Sequence, residues 1–212
     1  MQFKVCGITD INQAIALEAM GVDFIGFIFY APSKRYVLSA LTMQEIKQFA
    51  PAKSKKVGVF VNEPLDVVLS IVKEAGLDLV QLHGDEDELY CQALQDKFTG
   101  VTKIMKVFRV GDKMPSVDSF KDVADYYLFD TDSKLYGGTG AHFNWELLKG
   151  STINKPYLLS GGIGPNDIGG VEVMKQTKAG KTLAALDINS QFEIEPGIKN
   201  LEKIKTFINA FV

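Results

Sequence analysis

The chain has 212 residues, 46% hydrophobic and 23% charged, with Lys+Arg 23 against Asp+Glu 26 and a net charge of -3. Those proportions exclude a disordered or collagen-like chain, and the slight acidity removes a bulk electrostatic case for nucleic-acid binding. The two cysteines, Cys6 and Cys91, are too few for a disulfide framework and read as reduced thiols of a cytoplasmic protein.

No signal peptide is expected, because the first ten residues lack a continuous apolar core. The most apolar stretch, Val22 to Ala31, is too short for a bilayer, which takes about 20 residues to cross. A soluble protein without membrane partners is expected.

In chain order, β-branched and aromatic runs recur at Phe3–Val5, Phe24–Phe29, Lys56–Val61, Leu79–Leu82, Lys103–Phe108, Tyr126–Phe129, Tyr157–Leu159 and Leu183–Leu186. They are near-continuous rather than alternating, as in strands covered on both faces. Helical spacing fills the intervals. Ile11, Ala14, Ile15 and Leu17 share a face ahead of Gly21, and Leu65, Val68, Leu69 and Val72 do so ahead of Gly76. Leu201, Ile204, Phe207 and Ile208 form a closing helix.

The eight strand starts recur about every 26 residues, the length of one strand, one helix and two short loops. Strict strand–helix alternation implies parallel strands joined by right-handed crossovers. Eight units are the count that closes a single parallel (β/α)8 TIM barrel, here one compact domain over 1–212. An open doubly wound sheet is the alternative that pattern alone leaves.

A barrel carries its chemistry where strands end, which turns the strand list into a filter. Cys6 follows the first strand, Arg35 lies in the loop after the second, and His83 follows the fourth. Asp130 ends the sixth strand, Gly161 and Gly162 follow the seventh, and Asp187, Asn189 and Ser190 follow the eighth. Each has a plainer reading: Cys6 as apolar filler, Arg35 as a solvated cation, His83 as a structural histidine, Asp130 as a turn cap. Cys91 fits the filler reading within a helix, and His142 has little to recommend it. The glycines after the seventh strand and the Asn189–Ser190 pair occupy the places where barrels bind phosphate. Gly137-Gly138-Thr139-Gly140 reads as a lid or as part of that anion site.

Ordered motifs then narrow the field. Lys4-Val5-Cys6-Gly7-Ile8-Thr9, Ser33-Lys34-Arg35-Tyr36-Val37, Gln81-Leu82-His83-Gly84 and Phe129-Asp130-Thr131 occur in sequence. Gly137-Gly138-Thr139-Gly140, Ser160-Gly161-Gly162-Ile163, Asp187-Ile188-Asn189-Ser190 and Pro196-Gly197-Ile198-Lys199 complete the series. The ordered set resembles the phosphoribosylanthranilate isomerases of tryptophan biosynthesis over essentially the whole chain. One departure is Gln191, where the family commonly has glycine.

The resemblance implies a cofactor-free Amadori rearrangement of N-(5-phosphoribosyl)anthranilate, with Asp130 as general acid and Cys6 as general base. It further implies Arg35 on the anthranilate carboxylate, Asp187 on a substrate hydroxyl or amine, and His83 nearby. Desolvation is expected to raise Asp130, and neighbouring cations to lower Cys6. The expected partner is a small phosphorylated substrate, with the chain a monomer or homodimer. Rival readings are an aminoaldose isomerase or indole-glycerol-phosphate synthase on the same scaffold, or a silent phosphoribosyl-binding module. Neither a metal site nor a dinucleotide fingerprint has the required spacing.

Overall fold

The computed structural model describes residues 1–98, 101–131 and 144–211. The eight strands are β1 (Gln2–Val5), β2 (Phe24–Ile28), β3 (Lys55–Phe60), β4 (Leu79–Leu82), β5 (Lys103–Val110), β6 (Tyr126–Thr131), β7 (Tyr157–Leu159) and β8 (Leu183–Ile188). They form a closed, all-parallel barrel in sequence order, so the open-sheet alternative is set aside. Closure comes from β1 against β8, with Phe3 beside Leu186, Lys4 beside Asp187 and Val5 beside Ile188.

The helices are α1 (Ile11–Ala19), α2 (Met43–Gln48), α3 (Leu65–Ala75), α4 (Glu88–Lys97), α5 (Glu146–Lys149), α6 (Ile168–Lys175) and α7 (Leu201–Asn209). Local chemistry sets several of their ends. Asp10, Asp87 and Asn200 accept backbone N–H bonds at the starts of α1, α4 and α7, and Thr42 with Glu45 forms a reciprocal capping box on α2. Gly76 ends α3 in the left-handed conformation, at φ 65°. Buried Lys56 donates to the Ile46 carbonyl at 3.1 Å and the Ala75 carbonyl at 2.8 Å, satisfying acceptors near the ends of α2 and α3.

Strict alternation fails once among the described segments. Between β5 and β6 the only helical piece is a 3-10 turn at Asp118–Phe120. Gly111, Pro115 and a run of polar residues deny that segment a helical apolar stripe. Phe120 nonetheless covers the barrel wall by meeting Phe108 edge-on, with ring centroids 5.3 Å apart. An unpredicted antiparallel hairpin, β9 (Glu193–Glu195) with β10 (Ile198–Lys199), follows β8.

Two apolar cores result among the described residues. The larger lies between strands and helices, where Phe207 of α7 packs against Phe3 and Phe192. The smaller joins Phe24, Val57, Leu79, Met105, Val107, Leu128, Leu158 and Ala185, residues of β2 to β8, into a plug filling the lumen. In β1 the corresponding place falls to Lys4, which is fully buried. Among the described residues, no helix is long and apolar enough to cross a membrane.

Candidate active site

Above the plug, a cavity of about 500 Å³ opens at the strands' C-terminal ends. Cys6, Arg35, His83, Asp130, Gly161, Gly162, Asp187, Asn189 and Ser190 all line it. The nine candidates named from sequence thus share one concave surface, although Asp130 and Asp187 lie within strands rather than beyond them. His142 and the Gly137–Gly140 run lie outside the described residues.

Period two along β1 explains the first cluster, because Lys4 and Cys6 point the same way. Lys4 Nζ donates to Asp187 Oδ1 at 2.9 Å, and Ser160 Oγ donates to Asp187 Oδ2 at 3.2 Å. Burial disfavours the Lys4 ammonium, yet Asp187 and Cys6 hold its pKa above the ordinary lysine value. For Cys6 the expected direction is corrected. Burial pushes the thiol up, and this outweighs the opposite pull of Lys4 and Lys199. The wall of apolar strands that excludes water there also disfavours the thiolate.

Asp130 keeps 16% of its side chain exposed. Its Oδ1 accepts the Thr131 N–H at 2.8 Å, and its Oδ2 lies 3.2 Å from His83 Nε2. His83 Nδ1 in turn lies 3.1 Å from Gln81 Nε2. The plain reading of His83 as satisfied is therefore true of its bonding, but the bond goes to the candidate acid.

Arg35 is held rather than solvated. Its Nε donates to Glu193 Oε1 at 2.8 Å and its Nη2 to Glu193 Oε2 at 2.6 Å. Burial works against the Glu193 carboxylate. Arg35, Lys199 and the Gly197 N–H together still hold it below the usual carboxylate value. Lys199 Nζ bridges Glu193 at 2.6 Å and Asn189 at 2.7 Å, so the β9–β10 hairpin couples the arginine to the β8 loop. The bonds to Glu193 use the Nε and Nη2 edge of the guanidinium.

The anion candidates are built from backbone. Gly161 and Gly162 have φ values of 88° and 75°, a region that glycine enters without strain. A Cβ on Gly161 would also lie 2.8 Å from the Thr131 nitrogen and 3.2 Å from Asp130 Oδ1. Gly161→Ala is therefore expected to cost about 1–3 kcal/mol, read as a lower urea midpoint, and to lower activity through Asp130. Wild-type stability in that variant would remove the steric assignment. Gln191 brings no such strain, since Asn62 is the one non-glycine with positive φ among the described residues.

Sequence reasoning quoted Lys4, Gln81 and Lys199 only within motifs and gave neither them nor Glu193 a role. Lys4 and Gln81 were detectable as polar residues inside apolar strands, each two positions before a candidate. Cys91 is buried in α4, where burial pushes its thiol up to about 12, as suits a residue with no assigned chemistry.

Comparison with known proteins bears on this geometry. A family model described as N-(5'phosphoribosyl)anthranilate (PRA) isomerase matches residues 3–210. The N-(5'-phosphoribosyl)anthranilate isomerase of Parabacteroides distasonis is 36% identical over 208 residues, covering 98% of this chain and 92% of its own. The crystal structure of phosphoribosyl anthranilate isomerase from Thermotoga maritima superposes with a TM-score of 0.79 at 28% identity, covering 99% of this chain and 98% of that one. A phosphoribosyl anthranilate isomerase in complex with reduced 1-(o-carboxyphenylamino)-1-deoxyribulose 5-phosphate gives 0.73 at 26% identity, covering 99% and 97%. Matched from its first strand to its last helix, the chain belongs to the N-(5'-phosphoribosyl)anthranilate isomerase family.

Proposed function

We propose that this chain isomerises N-(5-phosphoribosyl)anthranilate to 1-(2-carboxyphenylamino)-1-deoxyribulose 5-phosphate, with Asp130 as general acid and Cys6 as general base. The observation that carries the reading is the shared cavity, lined by a thiol just past one strand, a carboxyl on another, an arginine and the glycines after β7. Family membership supports the same conclusion.

The chemistry assigns each residue a task. Asp130 gives its proton to the furanose ring oxygen. The C1–O bond breaks as the anilino nitrogen supplies its lone pair, leaving an open-chain iminium. The Cys6 thiolate then removes the C2 proton, and the electron pair becomes the C1–C2 double bond of an enolamine. Moving the C2 hydroxyl proton to C1 gives the ketone, and the Cys6 proton returns to Asp130. Composition is unchanged, so proton transfer alone completes the cycle without a cofactor.

Lys4 lies beside the thiol and favours its anion, while Asp187 orients that lysine and is placed for a substrate hydroxyl or amine. The backbone N–H groups of Gly161, Gly162, Asn189 and Ser190 hold the phosphate. Arg35 takes the anthranilate carboxylate on the side away from Glu193.

The direct test follows the fluorescence of N-(5-phosphoribosyl)anthranilate as purified protein consumes it. Loss of signal is expected at catalytic protein concentration, and no consumption would overturn the reading. Arg35→Lys refines it, because a lysine keeps the charge but loses the fork. KM is expected to rise about 10-fold to 100-fold, with a smaller change in kcat. An unchanged KM would remove Arg35 from the carboxylate site.

A further inference from the structure

We infer that Gln81 is a positioning residue that selects one tautomer of His83, making the histidine a neutral hydrogen-bond donor to Asp130. The inference rests on the reading of Asp130 as the acid and extends it to the residue behind its partner. Gln81 is on β4, 1% exposed, and its side chain shares a face with His83 two residues later. Its Nε2 sits 3.1 Å from His83 Nδ1, and His83 Nε2 sits 3.2 Å from Asp130 Oδ2.

An amide nitrogen only donates, so Nδ1 contributes its lone pair, and a neutral ring must then carry its proton on Nε2. That proton faces Asp130. The reverse amide orientation would demand Nδ1–H and leave Nε2 able only to accept, inverting the polarity of the His83–Asp130 contact. Gln81 Oε1 is meanwhile buried with no hydrogen-bond partner among the described residues. A glutamine kept for stability has both ends bonded. Among the described residues, this side chain bonds only the histidine.

The rest of the loop is held independently. Lys106 Nζ donates to the Gly84 carbonyl and to Glu86 Oε2, each at 3.0 Å, and Glu86 Oε1 accepts the Asn62 N–H at 2.7 Å. Arg109 of β5 donates to the His83 carbonyl at 3.1 Å and, through Nη1, to Asp85 at 3.1 Å. The backbone of His83 is thus placed without Gln81, and the ring's tautomer is what the glutamine adds. When Asp130 releases its proton, two donors already point at the carboxylate: the Thr131 N–H and His83 Nε2–H. That stabilisation requires no reorganisation during the step.

The test reads the ring directly. Long-range proton–nitrogen NMR of the full ¹⁵N-labelled chain at pH 8 resolves its two histidines, assigned with a His142→Gln variant. His83 is expected as a single tautomer, protonated at Nε2 and bare at Nδ1. Gln81→Met should mix the tautomers and lower kcat about tenfold, with KM changed less than twofold. Gln81→Glu, of nearly the same shape, should protonate Nδ1 and covers the case in which the methionine variant fails to fold. A wild-type ring protonated at Nδ1, or a folded variant with unchanged tautomer and kcat, overturns the inference. The tautomer is read without substrate. A chain with the expected ring that fails to consume N-(5-phosphoribosyl)anthranilate therefore overturns the proposed function and not the positioning role.

Discussion

Cys6→Ala is expected to lower kcat by about 10²-fold to 10⁴-fold, the usual contribution of a positioned proton-transfer group. The fold should survive, because the side chain is small and its loss opens a cavity costing only about 1 kcal/mol. Cys6→Ser should fail almost as badly, since an alcohol is a far weaker acid than a thiol and supplies almost no anion. The pH profile adds a separable signature. On the proposed mechanism the productive enzyme holds one proton in total, on Asp130, with Cys6 as thiolate. A form with the proton on the thiol instead has the same count, so their ratio does not change with pH. Between the two titrations kcat/KM is therefore flat. It falls in acid as a second proton binds and in alkali as the last one leaves. Because burial pushes the Cys6 thiol up, the alkaline limb belongs above the ordinary thiol range. Turnover in Cys6→Ala within about tenfold of wild type would sink the assignment. An alkaline limb near neutrality would contradict the direction assigned to the thiol.

Asp130→Asn is expected to lower kcat over a similar range, about 10²-fold to 10⁴-fold, because the amide has no proton to give the ring oxygen. Its effect on stability should be near 1 kcal/mol. The amide oxygen can accept from Thr131 or face His83 Nε2, but its nitrogen cannot replace the second acceptor. Ligand affinity should be nearly preserved, since in the proposed mechanism the acid acts on the ring oxygen and the proposed anion sites lie elsewhere. Calorimetry with reduced 1-(o-carboxyphenylamino)-1-deoxyribulose 5-phosphate separates the two effects. Near-wild-type affinity with lost turnover is the expected pair. Lost affinity would recast Asp130 as a binding group.

The barrel was legible because its strands carry apolar runs at a nearly constant interval, with glycines such as Gly21 and Gly76 where helices stop. The segment 111–125 was misread because an interval reports spacing and not helical periodicity. A 3-10 turn with one well-placed phenylalanine covers the wall there. The candidate residues that line the cavity were reached through a positional rule, that barrels carry their chemistry where strands end. What lies behind them was harder. Lys4 meets Asp187 only because the first and last strands pair, a contact 183 residues apart in sequence. The grip of Glu193 on Arg35 likewise spans 158 residues and depends on a hairpin too short to announce itself. The direction of the Cys6 shift was invisible for a related reason. It is a contest between desolvation and two cations, and a sequence shows the cations without the depth.

The apolar plug drawn from β2 to β8 has a consequence for traffic. A lumen packed with side chains offers no passage through the molecule, so the mouth is both entrance and exit. With the reaction in this cavity as proposed, product must clear it before the next substrate can enter, and the two compete for the proposed anion sites. Inhibition by product is then competitive by construction. Any enzyme receiving the product directly must present itself to this rim, leaving the opposite end of the barrel free for fusion or attachment without obstructing turnover.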